Sequence, residues 1–384
     1  MTTDLGLRSS GLEGVSAGRT SICSVEQGKL IYRGYEIHDL AQRATFEDVA
    51  HLLLVGHKAS DEQRRAFHKE LVDARSLPEP VVDFLRAAKP MLESGSATPM
   101  DVLRTGVSIL GNVDREAQAS VHQANLAKAK RLTAKIPTII GHMQNVIDGR
   151  DVIEPDPGLG HAANLYYMMT GKKPSETETR VMDVSLILYA EHDYNASTFT
   201  SRVIAATLSD LHGAVTGAIA ALKGPLHGGA NEAAMEMLQD VKSNWVDKGK
   251  SVEDFMSHAF SEKRKIMGFG HRVYKNGDHR AGILKALGRK LAEEKGGDAV
   301  TWWQIGDEVE AIMLADKGIY PNVDFPCGIT YNVLGIPVPQ YTPIFVAARV
   351  TGWCAHVMEQ HENNRLIRPV SEYVGPEIRR WNET

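Results

Sequence analysis

From Thr45 onward the chain is punctuated almost entirely by helix starts and stops, which leaves few folds open to it. Thr45 with Asp48 reads as a capping box, followed by Val49, Leu52 and Leu53 at helical spacing and a stop at Gly56. Ser60 with Gln63 opens the next helix. Thr98-Pro99 with Asp101 opens another, with Pro at the first helical position. Its apolar face is Val102, Leu103, Val107 and Leu110, and Gly111 ends it. Ser175 with Glu178 starts a helix running into Val181, Val184, Leu188 and Tyr189. Residues 203–222 are Ala-rich and apolar on most sides, and read as one long buried helix. Residues 232–241, 281–294 and 343–361 complete the set. Strand-like alternation is scarce after residue 40. Before it, residues 21–25 and 29–33 around Gln27-Gly28 read as one small hairpin. The predicted class is all-α with a small N-terminal β-hairpin.

The whole chain narrows the function classes. Its 384 residues predict two or three domains, and 43% hydrophobic content supports a substantial core. A net charge of −5 gives no sign of a nucleic-acid coat. Cys23, Cys327 and Cys354 are odd in number and far apart, which argues against a disulfide framework or a four-cysteine zinc site. The N-terminal residues lack the apolar core of a signal peptide, and no run of about 18 apolar residues suggests a membrane span. A cytoplasmic protein is expected.

Several polar constellations stand out against the helical background. In residues 266–280, Gly268 and Gly270 immediately precede His271, with Lys275 and Arg280 following and Lys263, Arg264 and Lys265 upstream. Glycine lets backbone approach a ligand closely, imidazole titrates near neutrality, and cations suit phosphate or carboxylate. The plain alternative is a basic surface loop around a buried His. The Gly-x-Gly here is no dinucleotide fingerprint, because no strand precedes it and the third glycine is missing. His227 lies in Gly-Pro-Leu-His-Gly-Gly, between one helix and the N-terminus of the next. There the helix dipole disfavours imidazolium, and a neutral ring can donate a hydrogen bond to a developing enolate. A structural His in an interdomain hinge fits the same residues.

Asp324 sits between Val323 and Phe325, in a loop after Tyr320-Pro321. Desolvation there raises a carboxyl pKa toward that of a working base, although an ordinary turn or cap is the commoner use of such an Asp. Arg349 is a cation inside an apolar helix and needs a partner or a ligand. With Arg280, Arg365 and Arg368 it offers guanidinium groups suited to carboxylates, or to structural salt bridges. His192 and Asn195 crowd the end of a hydrophobic helix, where they fit a buried ligand or a packed helix junction.

Read in order, His-Asp-Tyr-Asn-Ala-Ser-Thr-Phe, Gly-Pro-Leu-His-Gly-Gly-Ala-Asn-Glu, Met-Gly-Phe-Gly-His-Arg-Val-Tyr, Asn-Val-Asp-Phe and Glu-Asn-Asn-Arg-Leu-Ile-Arg-Pro resemble the citrate synthase family. The match is to its short bacterial and archaeal branch, which includes 2-methylcitrate synthases, and runs from about Gly11 to Gly375. The resemblance implies a two-domain α-helical homodimer: a large domain over 1–227 and 331–384, and a small one over 228–330 that closes on the substrates. It implies His227, His271 and Asp324 as the catalytic trio. It implies His192, His271, Arg280, Arg349 and Arg368 as oxaloacetate ligands, Arg368 reaching in from the partner subunit. Ile266, Met267, Gly268, Phe269, Gly270 and Lys275 match the coenzyme A site. One departure is His279, where the family usually has Pro before the Arg, which puts a looser turn under Arg280.

The implied reaction condenses acetyl-CoA with oxaloacetate and hydrolyses the thioester, giving citrate and CoA as the first step of the tricarboxylic acid cycle. Acetyl-CoA is a substrate, and no cofactor or metal is implied, since the imidazoles stand in for a Lewis acid. The close alternative is 2-methylcitrate synthase using propionyl-CoA. Leu226 resembles citrate synthases, where methylcitrate synthases often carry Lys, whereas Tyr194 resembles the aromatic common in methylcitrate synthases. Acetyl-CoA is the expected preference. A non-catalytic CoA-binding or metal-binding helical protein is the remote alternative. Despite 15 histidines there is no His-Glu-x-x-His, and His356 with His361 lacks ligand spacing.

Overall fold

The computed structural model describes residues 11–378 apart from residues 13 and 27. Gln27 of the expected turn and the N-terminal residues read for a signal peptide lie outside the described residues. Among those described there are sixteen α-helices and one three-stranded antiparallel sheet, so the fold is all-α as expected. Strands Cys23–Glu26 and Lys29–Tyr32 form the hairpin, with Val25 opposite Leu30 and Cys23 opposite Tyr32. A short strand, Tyr35–Glu36, extends it to three. Leu30 and Tyr32 face the core, and the Tyr32 hydroxyl donates to the carbonyl of Glu191 at 2.8 Å. The hairpin is thereby pinned beneath a polar junction described below.

The capping signals translate directly. Thr45 with Asp48, Ser60 with Gln63, Thr98 with Asp101 and Ser175 with Glu178 each form a reciprocal capping box. They open helices Phe46–Val55, Asp61–Asp73, Pro99–Val113 and Glu176–Tyr189. Each box satisfies amides that the first turn leaves without partners. Gly56 ends its helix in the left-handed conformation. Helices Ala230–Asn244, His279–Lys295 and Tyr341–Glu362 lie where expected, a few residues longer at their ends.

Three expectations are corrected. Residues 203–222 are not one helix but parts of two, Ala196–Ala205 and Leu211–Lys223. Leu208 has φ +64° between them, and the Asp210 carboxylate accepts from the Gly213 amide at 2.9 Å, starting a new helix. The small residues serve the contact between the two: a Cβ on Gly217 would come within 2.2 Å of the Ile204 side chain. Gly111 does not end its helix, which continues to Val113. A Cβ there would lie 2.8 Å from that of His212, so this glycine allows helices to approach rather than stop. Asp324 is not in a loop but is the first residue of helix Asp324–Leu334.

The buried apolar side chains form one connected core. Helix Tyr341–Glu362 runs through it, buried almost from end to end. It is packed by Glu176–Tyr189, Ala196–Ala205, Leu211–Lys223 and the 26-residue helix His122–Ile147. Helix His279–Lys295 lies against both Asp324–Leu334 and Glu176–Tyr189. Helix ends therefore converge where Tyr189, His192, Arg280 and Asp324 sit. Among the described residues no helix is long and apolar enough to cross a membrane.

Candidate active site

Loop 266–270 is sewn to the segment that carries Asp324. The Gly270 amide donates to Tyr320 O, and the Asn322 amide to Gly268 O, both at 2.9 Å. The Asn322 side chain donates to Gly270 O at 2.9 Å. Gly268 has φ +82°, and a Cβ there would fall 2.8 Å from that of Phe325. Glycine is thus required by the close approach of the Asp324 helix. Ile266 is buried, and Phe269 packs on Phe325 with ring centroids 4.7 Å apart, so the apolar members of the loop anchor it. Met267 is half-buried against the core. His271 and Asp324 are fixed relative to one another through this seam. Lys275 donates to His271 O at 3.1 Å.

The tautomers of the two key histidines follow from their backbone partners. His271 Nδ1 accepts from the amides of Val273 and Tyr274, each at 3.1 Å. An amide N–H can only donate, so the proton of the neutral ring is on Nε2. Burial, and then the Arg280 charge, push this imidazole down to about 4. Its ring stacks on Tyr274 at 4.5 Å and meets His192 edge-on at 5.2 Å. His227 is half-buried between helices Leu211–Lys223 and Ala230–Asn244. Its Nε2 accepts from the Ser197 amide at 3.2 Å, which leaves the proton on Nδ1. Burial, and then Arg349, push its pKa down to about 4. Gly228 lets the chain double back here, since a Cβ would collide with Leu222 O at 2.4 Å. Both imidazoles are neutral donors at pH 7.

The cations differ in how far they are engaged. Arg280 is buried and held edge-on by Asp278, Nε to Oδ1 at 3.0 Å and Nη2 to Oδ2 at 2.8 Å. Asp278 also accepts from the Val323 amide at 3.1 Å and so ties Arg280 to the Asp324 segment. His279 does not displace Arg280; it starts the helix while Asp278 caps it. Arg349 is buried, with Nε donating to Tyr189 O at 2.6 Å and its guanidinium 4.8 Å from the Phe345 ring. Among the described residues no carboxylate ion-pairs with it, and the buried Glu191 is its nearest counter-charge by influence. His192 Nε2 has no hydrogen-bond partner among the described residues. Burial, and then Arg280 and Arg349, hold that imidazole well below its usual range. Two buried cations whose charges both act on an imidazole with an unsatisfied nitrogen suit a small dicarboxylate.

Asp324 is half-buried, and burial raises its pKa, opposed by a hydrogen bond from the Tyr189 hydroxyl at 2.6 Å. The structure therefore brings together His192, His271, Arg280, Arg349 and Asp324; His227 feels the Arg349 charge and is linked to His192 O through Ser197 and then Asn195. Arg368 is exposed in the segment after helix Tyr341–Glu362, outside this cluster within one chain. Arg365 is exposed beside it, and Arg264 is engaged by Asp240 at 2.8 Å. Asn195 is consumed as a helix cap, accepting from the Thr198 amide at 3.1 Å. Tyr194 lies over Arg202 at 4.7 Å, and Leu226 is 94% exposed. Sequence reading missed Tyr189, Asp278, Ser197 and Glu191. Glu191 and Ser197 lie in the polar run 191–198, and Asp278 stands two residues before a candidate Arg, whereas Tyr189 carried no polar signal.

Fold and site together define an all-helical enzyme that gathers two neutral imidazole donors, a half-buried carboxylate and two buried arginines into one polar cluster. The family described as citrate synthase, C-terminal domain, matches residues 11–370. A 2-methylcitrate synthase of Shewanella oneidensis is 46% identical, the alignment covering 96% of this chain and 95% of that protein. A citrate synthase of Heyndrickxia coagulans is 43% identical, covering 95% of each. The solved citrate synthase of Thermoplasma acidophilum, in ternary complex with carboxymethyl coenzyme A and oxaloacetate, superposes with a TM-score of 0.88 at 31% identity, covering 97% of each chain. The chain belongs to the citrate synthase family. It is a transferase of the type that converts an acyl group into alkyl on transfer.

Proposed function

We propose that this enzyme is a citrate synthase that condenses acetyl-CoA with oxaloacetate and water to give citrate and CoA, the first step of the tricarboxylic acid cycle. The observation that carries it is the complementary protonation of His227 and His271, with His271 on the loop that is sewn to the segment of Asp324. The Asp324 carboxylate takes a proton from the thioester methyl group. Nδ1–H of His227 donates to the thioester oxygen as the enolate forms. The enolate carbon attacks the ketone of oxaloacetate, and Nε2–H of His271 supplies the proton to the new alkoxide. Water then cleaves the thioester and releases CoA. Arg280, Arg349 and His192 hold the two carboxylates of oxaloacetate, so one face of the ketone meets the enolate.

The reading includes a homodimer in which Arg368 completes the partner's site, supported by its exposure outside the cluster in a single chain. It includes closure of a small domain, 228–330, on a large one, 1–227 with 331–384, to exclude water during enolisation. CoA is assigned to the backbone of residues 266–270 with Lys275. A second reading, 2-methylcitrate synthase, is favoured by the Shewanella relative and by Tyr194. One methylene in an apolar pocket is worth only about 1–3 kcal/mol. The deciding experiment is kcat/KM for acetyl-CoA and propionyl-CoA at saturating oxaloacetate. A ratio above one supports citrate synthase, and a ratio favouring propionyl-CoA replaces it with the second reading.

A further inference from the structure

Tyr189 is the last residue of helix Glu176–Tyr189 and is 1% exposed. Its ring packs on Phe345 with centroids 4.4 Å apart. Its two polar groups point to different parts of the site. The hydroxyl donates to Asp324 Oδ1 at 2.6 Å, and the backbone carbonyl accepts from Arg349 Nε at 2.6 Å. Among the described residues no other hydrogen bond reaches the Asp324 carboxylate; the Asp324 amide is held separately by Asn322 Oδ1 at 3.0 Å.

We propose that Tyr189 is a positioning residue of this enzyme: its hydroxyl fixes one oxygen of Asp324 and leaves the other to take the proton, while its carbonyl aligns Arg349. This rests on the function proposed above. A carboxylate turns easily about its terminal torsion, and a base must present one lone pair to the bond it breaks. A short O–H···O⁻ contact is charge-assisted and directional, which suits it to that task. The same residue sets base and carboxylate clamp in register, because one rigid helix end supplies both partners.

The electrostatics agree. Burial, and then the Asp324 charge, hold the Tyr189 phenol well above its usual pKa, so it remains a donor. The groups facing Asp324 are Tyr189, Arg280, Asp278 and Arg349, with the buried thiol of Cys327 from its own helix. Of these, Tyr189 alone is hydrogen-bonded to the carboxylate among the described residues.

The test is Tyr189→Phe in the full-length enzyme, which keeps the ring and the carbonyl and removes only the hydroxyl. The expected result is a kcat lower by roughly 10-fold with oxaloacetate KM within about twofold. The acid limb of kcat/KM for acetyl-CoA moves up by about one pH unit, because losing a donor favours the protonated carboxyl. Unchanged kcat with an unmoved acid limb, or a change in oxaloacetate KM alone, overturns the proposal. If the Phe variant does not fold, 3-fluorotyrosine placed at position 189 asks the same question. As a stronger donor it moves the acid limb down, and an unmoved limb overturns the proposal. Asp324→Asn run in parallel separates the two ideas. An inactive Asn variant beside a fully active Phe variant overturns only the role of Tyr189. An active Asn variant overturns the function and this proposal together.

Discussion

His227 accepts the Ser197 backbone N–H on Nε2 at 3.2 Å, and that contact decides which proton the ring offers a substrate. With its pKa pushed down to about 4, the ring stays neutral through the working range and contributes no inflection near pH 6.5. His227→Ala should lower kcat by roughly 10²–10³-fold, the worth of one oxyanion donor, while oxaloacetate affinity stays within about twofold. Steady-state kinetics with calorimetric titration of oxaloacetate checks both halves.

Asp324→Ala removes the carboxylate proposed as the base. Turnover should fall by roughly 10²–10⁴-fold with oxaloacetate binding little changed. Near wild-type turnover in the purified variant removes Asp324 from the mechanism.

The buried pair of Arg280 and Asp278 makes a different prediction. Asp278→Ala leaves a buried guanidinium without its partner, which costs about 3–5 kcal/mol. The urea midpoint should fall accordingly, and oxaloacetate KM should rise as Arg280 loses its anchor. A stability change within error would mean that solvent or another group compensates Arg280.

Arg368 tests the proposed dimer. Co-expressed Arg368→Ala and His271→Ala subunits should regain activity in mixed dimers, since one of the two sites recovers a full set of residues. Inactive, verified heterodimers would place Arg368 in its own subunit's site or outside any site.

Helix ends were the most legible part of this fold. Thr45, Ser60, Thr98 and Ser175 announce starts through contacts three residues away, which depend on nothing distant. Glycines were ambiguous because one residue type does opposite things: Gly56 ends a helix, whereas Gly111 and Gly217 let helices touch. The long helix His122–Ile147 carries no side-chain cap and has Pro137 inside it, so local signals give no account of it. Within the site, His227, His271 and Asp324 were legible through motifs whose order matched a family. Tyr189 was legible only as core, because its link to Asp324 spans 135 positions and exists only after folding.

Acid sensitivity follows from the buried histidines. His161 is 3% exposed, and burial, then Arg75, lower its pKa to about 3 from 6.5. A depressed folded-state pKa means that protonation favours the unfolded chain. Its stabilisation is complete above pH 6.5 and is lost progressively as pH falls toward 3. The thermal midpoint should drop across that window, and His161→Phe should show a shallower decline. Parallel slopes for the two proteins would contradict this.

In the proposed reaction this site enolises a thioester and delivers the carbon to oxaloacetate. Release of CoA thiol from acetyl-CoA by the purified protein, with and without oxaloacetate, measures it directly. We predict steady release that requires oxaloacetate and is abolished in Asp324→Asn. No release from either acetyl-CoA or propionyl-CoA in the presence of oxaloacetate, or release at the same rate without it, would rule out this condensation.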